Sequence, residues 1–229
     1  MITLKPEIIF ENEFFKLSNT LLAGLITVLI LTAFSLFFKG KIREEPSKIQ
    51  VIIETIFESI YNFWYNLTEI KNLKIFAFCF AFFIYILLSN WLGIFPGFGS
   101  VYLKHHEEKI HLLRTAYSDL NMTLALSFIS VVGINLIALF KQGFHYLKKF
   151  LNPIGILELV SEFSKIISFS FRLFGNILAG EILILIINFI LPLLAPLPFM
   201  FLEIFVGFVQ ALIFFTLTSI FLKVALSEH

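Results

Sequence analysis

Apolar residues in this chain come in runs of about twenty, the length a helix needs to cross a lipid bilayer. The first run covers residues 17–38. Lys39, Lys41 and Arg43 follow it, and Pro46 breaks the chain. Residues 47–67 keep a different rhythm, with Ile49, Ile52, Ile53, Ile56, Phe57, Ile60 and then Phe63 or Trp64 at helical spacing opposite Glu54 and Glu58. That pattern predicts an amphipathic helix lying on the membrane surface or against another subunit. A second span covers 74–95 and ends in Pro96-Gly97, and a polar stretch follows over 97–118. The third span covers 119–140, closed by Lys141, Lys148 and Lys149.

The last third, residues 153–226, reads as a helical hairpin. Its helical pattern runs from Pro153 to Leu191, and Pro192, Pro196 and Pro198 punctuate the turn. At 1.5 Å per residue the first arm is about 57 Å long, against a hydrocarbon core of about 30 Å. It must tilt, or lie nearly in the membrane plane against other protein. The fold class expected is all-α. It is a polytopic membrane protein of about five membrane segments, including the long tilted C-terminal hairpin, with one amphipathic interfacial helix, all in a single membrane domain over 1–229.

Composition sharpens this reading. Hydrophobic residues make up 59% of the 229 and charged residues 14%, with a mean hydropathy of +0.93. A soluble core needs far less apolar content, so lipid is the natural solvent for these runs. The net charge of +1 excludes the basic face that a nucleic-acid partner would require. Cys79 stands alone within an apolar run and can form neither an intrachain disulfide nor a metal cluster. The 31 phenylalanines read as lipid-facing filler. The first sixteen residues mix Lys5, Glu7, Glu11, Glu13 and Lys16 without a basic leader pattern, so insertion is expected to rely on the spans themselves. Lysines and arginines are denser in the loops after spans one and three than on the other side. That bias places the N-terminus outside and the C-terminus inside.

Charge inside the hairpin is the feature that carries chemistry. Glu158, Glu162, Lys165, Arg172, Glu181 and Glu203 lie there, with Asn176 and Gln210 beside them. A centred Arg or Lys raises the insertion free energy by about 2.5–3.5 kcal/mol, so such groups mark ion paths by default. At about 100° per residue, Glu158, Lys165, Ser168, Arg172 and Asn176 project within about 40° of one direction. Glu181 falls roughly 180° from Arg172 round the helix and about 13 Å along it. Glu203 and Gln210, seven residues apart on the second arm, share a face. The plainer alternative is a structural ion pair, for instance Arg172 with Glu203.

The segment Ser170-Phe171-Arg172-Leu173-Phe174-Gly175-Asn176-Ile177-Leu178-Ala179-Gly180-Glu181 closely resembles the signature of the a subunit of F-type ATP synthase. Gly207-Phe208-Val209-Gln210-Ala211-Leu212-Ile213-Phe214 and Ser118-Asp119-Leu120-Asn121-Met122-Thr123-Leu124-Ala125-Leu126 support the resemblance. So do Asn152-Pro153-Ile154, Glu158, Ser164-Lys165 and the terminal Ser227-Glu228-His229. It covers roughly residue 90 to the end, and the first ninety residues match only in layout. Some bacterial members carry histidine where Glu203 stands and others glutamate, while Tyr117-Ser118 is looser than the usual pattern. The resemblance implies a stator subunit beside a rotating c-ring, each ring subunit bearing a membrane carboxylate. Arg172 would face the ring. Glu181, Glu203, Gln210, Asn176, Asp119 and Asn121 would line the outer half-channel. Glu158, Lys165 and Ser168 would mark the inner one. Implied partners are the c-ring, peripheral-stalk (b-type) subunits, the lipid membrane and a catalytic head elsewhere, with no cofactor. The implied setting is an energy-coupling membrane, a bacterial plasma membrane or an organelle inner membrane.

These residue types suit that work. Arginine keeps its proton in any protein environment, so it blocks direct passage between half-channels while attracting an ionised ring carboxylate. Glutamates can take up and release protons as a relay. Gly175 and Gly180 permit close helix approach, and plain packing would explain them equally. His105, His106 and His111 with Glu107 and Glu108 match no metal-ligand spacing and read as a solvated loop. Asn66-Leu67-Thr68 fits a glycosylation acceptor but falls on the side predicted to be inner. No nucleotide loop, nucleophile elbow or zinc helix is present, and the chain reads as a non-catalytic subunit. A stand-alone cation or proton transporter is the competing class, and the internal repeat it often carries is not found. An inert scaffold is the other.

Overall fold

A computed structural model describes residues 7–12, 15–39, 47–95, 102–105, 108–111, 114–143, 146, 155–192 and 194–227. The chain breaks expected at Pro46 and Pro96-Gly97 lie outside these residues, as do Lys148, Lys149, Asn152-Pro153-Ile154, His106, Glu107 and Glu228-His229.

The helices begin and end where the sequence supplies caps. Among the described residues there are six: α1 (Asn19–Lys39), α2 (Lys48–Thr68), α3 (Leu73–Ile94), α4 (Leu120–Gln142), α5 (Gly155–Ile190) and α6 (Pro196–Ser227). The Ser47 hydroxyl accepts the Gln50 N–H at 3.3 Å and opens α2. Glu69 closes it in the left-handed region at φ 61°, where its N–H donates to the Tyr65 carbonyl at 2.7 Å. Asn72 then caps α3, accepting the Lys74 N–H at 3.0 Å. Pro196 occupies the first position of α6, where a missing N–H does no harm.

All but α2 are long and apolar enough to cross a membrane, and the chain is an all-α integral membrane protein. The helix bounds lie within a few residues of the apolar runs. α1 starts at Asn19 because Leu17 and Ser18 belong to a strand: β1 (Ile8–Asn12) pairs antiparallel with β2 (Phe15–Ser18). A second ribbon, β3 (Tyr102–His105) with β4 (Glu108–His111), lies within the polar stretch read as a loop. Neither ribbon was foreseen.

The central helix is α6, which packs against α2, α3, α4 and α5, while α1 leans on α3. Its core is aromatic. Phe76 is fully buried and meets Phe57, Tyr61 and Trp64 edge-on at 5.2, 5.1 and 5.4 Å, with Phe80 stacked at 5.5 Å. Phe169 of α5 lies 4.7 Å from Phe214 of α6. The phenylalanines are therefore not merely lipid-facing filler, since Phe76, Phe82, Phe83, Phe169, Phe214 and Phe215 are buried between helices. Polar bonds lock the same contacts, because association in lipid gains little from hydrophobic burial and more from packing and hydrogen bonds. Thr123 and Ser170 join α4 to α5 at 2.9 Å. The Asn90 amide donates to the Gly207 carbonyl at 3.2 Å. On α2 the predicted apolar face packs over its C-terminal half, through Phe57, Ile60 and Trp64, while Ile49, Ile52 and Ile56 stay exposed.

Phe76→Ala should remove a ring touched on several sides and leave a cavity. The expected loss is about 1–3 kcal/mol, below the usual aqueous figure because the unfolded reference also sits in lipid. Thermal unfolding of the detergent-solubilised subunit checks this, with exposed Phe140→Ala, expected to change stability by less than about 0.5 kcal/mol, as the control.

Candidate functional site

Helix α5 divides into two faces. Phe169, Ser170, Leu173 and Ile177 are buried toward the other helices. Ser161, Ser164, Ser168, Arg172, Gly175 and Ala179 are all exposed, and at about 100° per residue they fall within an arc of about 80°. Arg172 thus stands in a stripe of small side chains. A Cβ built on Gly175 meets nothing within 4 Å, so that glycine is not required by packing within this chain. Among the described residues no salt bridge or hydrogen bond reaches Arg172, and the pair with Glu203 is not formed.

A groove of about 480 Å³ runs along this face between α5 and α6. Ser161, Ser164, Lys165, Ser168 and Arg172 form its polar wall, and Phe221 of α6 closes the other side. Lys165 donates to Glu162 at 2.7 Å and rests over the Phe221 ring at 4.8 Å. Glu162 also accepts the Asn135 amide at 2.9 Å, and the Tyr146 hydroxyl donates to the Asn135 carbonyl oxygen. Asn135 and Tyr146 were missed by the sequence reading, and Glu162 was named without a role. An acid three residues before a lysine was a usable signal for that pair. Glu158 is half-buried and stands outside the walls of the groove.

Farther along α5 a second group of charges gathers. Glu181 accepts a hydrogen bond from the Arg114 guanidinium at 3.1 Å, with side-chain exposures of 13% for the arginine and 25% for the acid. Glu203 of α6 occupies the space beside Gly180, where an added Cβ would stand 2.5 Å from its Oε1. Glu181 and Glu203 interact electrostatically. The two glycines therefore do different things: Gly180 makes room for a carboxylate, and Gly175 faces open space. Arg114 lies in the polar stretch over 97–118 and was not among the residues expected at a site.

The remaining candidates sit in the interior or at its edge. Asp119 is buried and caps α4, accepting the Asn121 N–H at 2.9 Å and the Thr20 hydroxyl at 3.2 Å. Asn121 is exposed at the start of α4. Gln210 is 5% exposed, and its amide nitrogen has no partner among the described residues. Asn176 is half-buried. Beside Asp119, burial and the neighbouring Tyr85 phenol push the Tyr117 phenol well above its usual range, so it stays neutral and anchors its loop. The structure thus gathers Arg172, Lys165 and Ser168 in one groove and Glu181, Glu203 and Arg114 in another place. It does not bring these two groups into contact through a salt bridge among the described residues.

Comparison with known families places the chain as a whole. A family model described as ATP synthase A chain matches residues 21–223. The match takes in α1, α2 and α3, beyond the stretch from residue 90 onward that carries the sequence resemblance. The chain belongs to the ATP synthase A chain family, whose members are the proton-conducting subunit of that enzyme's membrane sector.

Proposed function

We propose that this chain is a stator subunit with two proton half-channels separated by Arg172, which load and unload carboxylates on a rotating c-ring. Proton flow is thereby coupled to ATP synthesis or hydrolysis. One observation carries the reading: Arg172 is exposed on a stripe of small residues and, among the described residues, has no anionic partner. A guanidinium at membrane depth requires an anion. A moving carboxylate from another subunit supplies one, and the open space at Gly175 lets that helix come close.

The serine-lined groove that ends at Arg172 serves as the inner half-channel, with Lys165 and Ser168 in its wall and Glu158 nearby. Glu181 and Glu203 form the relay of the outer half-channel, with Gln210, Asn176, Asp119 and Asn121 as its polar surroundings. Arg172 holds each arriving carboxylate ionised and, being unable to release its own proton, prevents direct leakage. One elementary charge gains about 2.3 kcal/mol per 100 mV, so a ring that sums many steps suits the task. The exposed apolar residues of α2 offer a surface for the lipid interface or a peripheral-stalk subunit. The N-terminus lies outside and the C-terminus inside an energy-coupling membrane, either a bacterial plasma membrane or an organelle inner membrane.

Arg172→Ala should reduce ATP-driven proton pumping at least about 100-fold in reconstituted complexes, while the subunit still inserts and assembles. Retained pumping by the assembled variant refutes the mechanism. Gly175→Leu separates a helix partner from lipid on this face. Stability of the isolated subunit should shift by less than about 0.5 kcal/mol, yet pumping should fall sharply, and wild-type pumping would mean that lipid covers Gly175. Single cysteines at positions 5 and 228 should react with an impermeant reagent from opposite sides of the membrane, and labelling of both from one side would overturn the orientation.

A further inference from the structure

Arg114 has no place in the scheme above, yet it is built into the structure more firmly than a loop arginine needs to be. The turn that follows it, Ala116–Ser118, is buried throughout. The Thr115 carbonyl accepts both the Ser118 N–H at 3.1 Å and the Ser118 hydroxyl at 2.8 Å. Thr115 itself presses on the end of α3, where a Cβ on Gly93 would stand 2.6 Å from the Thr115 Oγ1. Just beyond the turn, Asp119 is held by Thr20 of α1 and caps α4. The backbone that carries Arg114 is therefore fixed against α1, α3 and α4 together.

From that base the side chain reaches across to α5. Its Nη2 lies 3.1 Å from Oε2 of Glu181, a residue 67 positions away, and both side chains are largely shielded from solvent. Among the described residues Glu181 has no other hydrogen bond, so its Oε1 remains available. The next residue back, Gly180, is the one whose missing side chain admits the Glu203 carboxylate. A glutamate on a helix facing a gap has several rotamers open to it, and a guanidinium bound at one oxygen leaves few of them.

We propose that Arg114 is a positioning residue for proton transfer, holding Glu181 by Oε2 so that its other oxygen faces the gap shared with Glu203. This rests on the reading of Glu181 and Glu203 as the relay. Arginine suits the post because it fixes a carboxylate geometrically without offering the proton a way out. It thereby ties the segment before α4 to the relay and keeps Glu181 from swinging toward lipid.

The test uses the complete ATP synthase reconstituted in vesicles, with ATP-driven acidification and the amount of assembled subunit measured together. Arg114→Gln should lower pumping per assembled complex about tenfold, the order expected when a transferring group is misplaced by a fraction of an ångström. Arg114→Lys, which keeps the charge but not the fork, should recover most of it. Because Arg114 acts through Glu181, adding Arg114→Gln to Glu181→Gln should cost nothing further. If Arg114→Gln alone leaves too little complex, this last comparison carries the test, since the double variant leaves no unpaired charge behind. Full pumping by Arg114→Gln, or additive losses in the double variant, would overturn the proposal. Wild-type pumping by Glu181→Gln would instead sink the relay reading beneath it.

Discussion

A positive charge in hydrocarbon must be answered by a negative one, and the position of Arg172 turns that requirement into an assembly rule. Three other charges in the hairpin find their answers within the chain: Lys165 and Glu162 in each other, and Glu181 in Arg114. Arg172 is left open on the exposed face of α5 among serines, a glycine and an alanine. Small residues around an open charge define a place where another helix fits closely. Among the described residues Arg172 therefore stands without an anion of its own chain, which is the condition that the proposed carboxylate partner would meet.

The rest of the architecture keeps α5 in position without covering it. α6 lies at the centre, and its contacts with α2, α3 and α4 are built from interlocking aromatic rings and a few buried hydrogen bonds. In lipid such contacts must come from shape and polar pairing, because apolar burial distinguishes little between a helix and a lipid tail. α5 contributes Phe169, Leu173 and Ile177 to this core and nothing from the opposite side. Rigidity on one face and openness on the other come from the same helix, because 3.6 residues per turn separate Leu173 from Arg172 by about 100°.

Much of the fold was legible because a bilayer imposes a length on apolar runs, and the ends of α2, α3 and α4 fall within a residue or two of the runs and flanks read from the sequence. The two β ribbons were not legible. Strands of four or five residues in polar segments carry no alternation long enough to stand out from a loop. The helical projection put Arg172 and Lys165 on one face, but it could not say which face of α5 would be covered by α4 and α6. Spacing along the helix could have paired Glu162 with Lys165, but that signal was not used. Nothing in the sequence joined Arg114 to Glu181, because that contact depends on how a buried turn sets a loop against a helix 67 positions away. Asp119 was legible only as part of a family pattern; its bonds to Thr20 and Asn121 make it a helix cap as well, a role that the sequence reading did not assign.

The Lys165–Glu162 pair has a consequence for what a passing anion experiences. Lys165 and Arg172 lie two helical turns apart, about 10 Å along α5, in the wall of one groove. Left alone, two cations at that spacing would give a moving carboxylate two attractive stations and a barrier between them. With Glu162 bonded to the ammonium at 2.7 Å, that lysine acts as part of a dipole whose field fades over a few ångströms. Among the described residues the groove wall then holds one cation without an anionic partner, Arg172. A single attracting charge comes from neutralising its neighbour as much as from supplying the arginine.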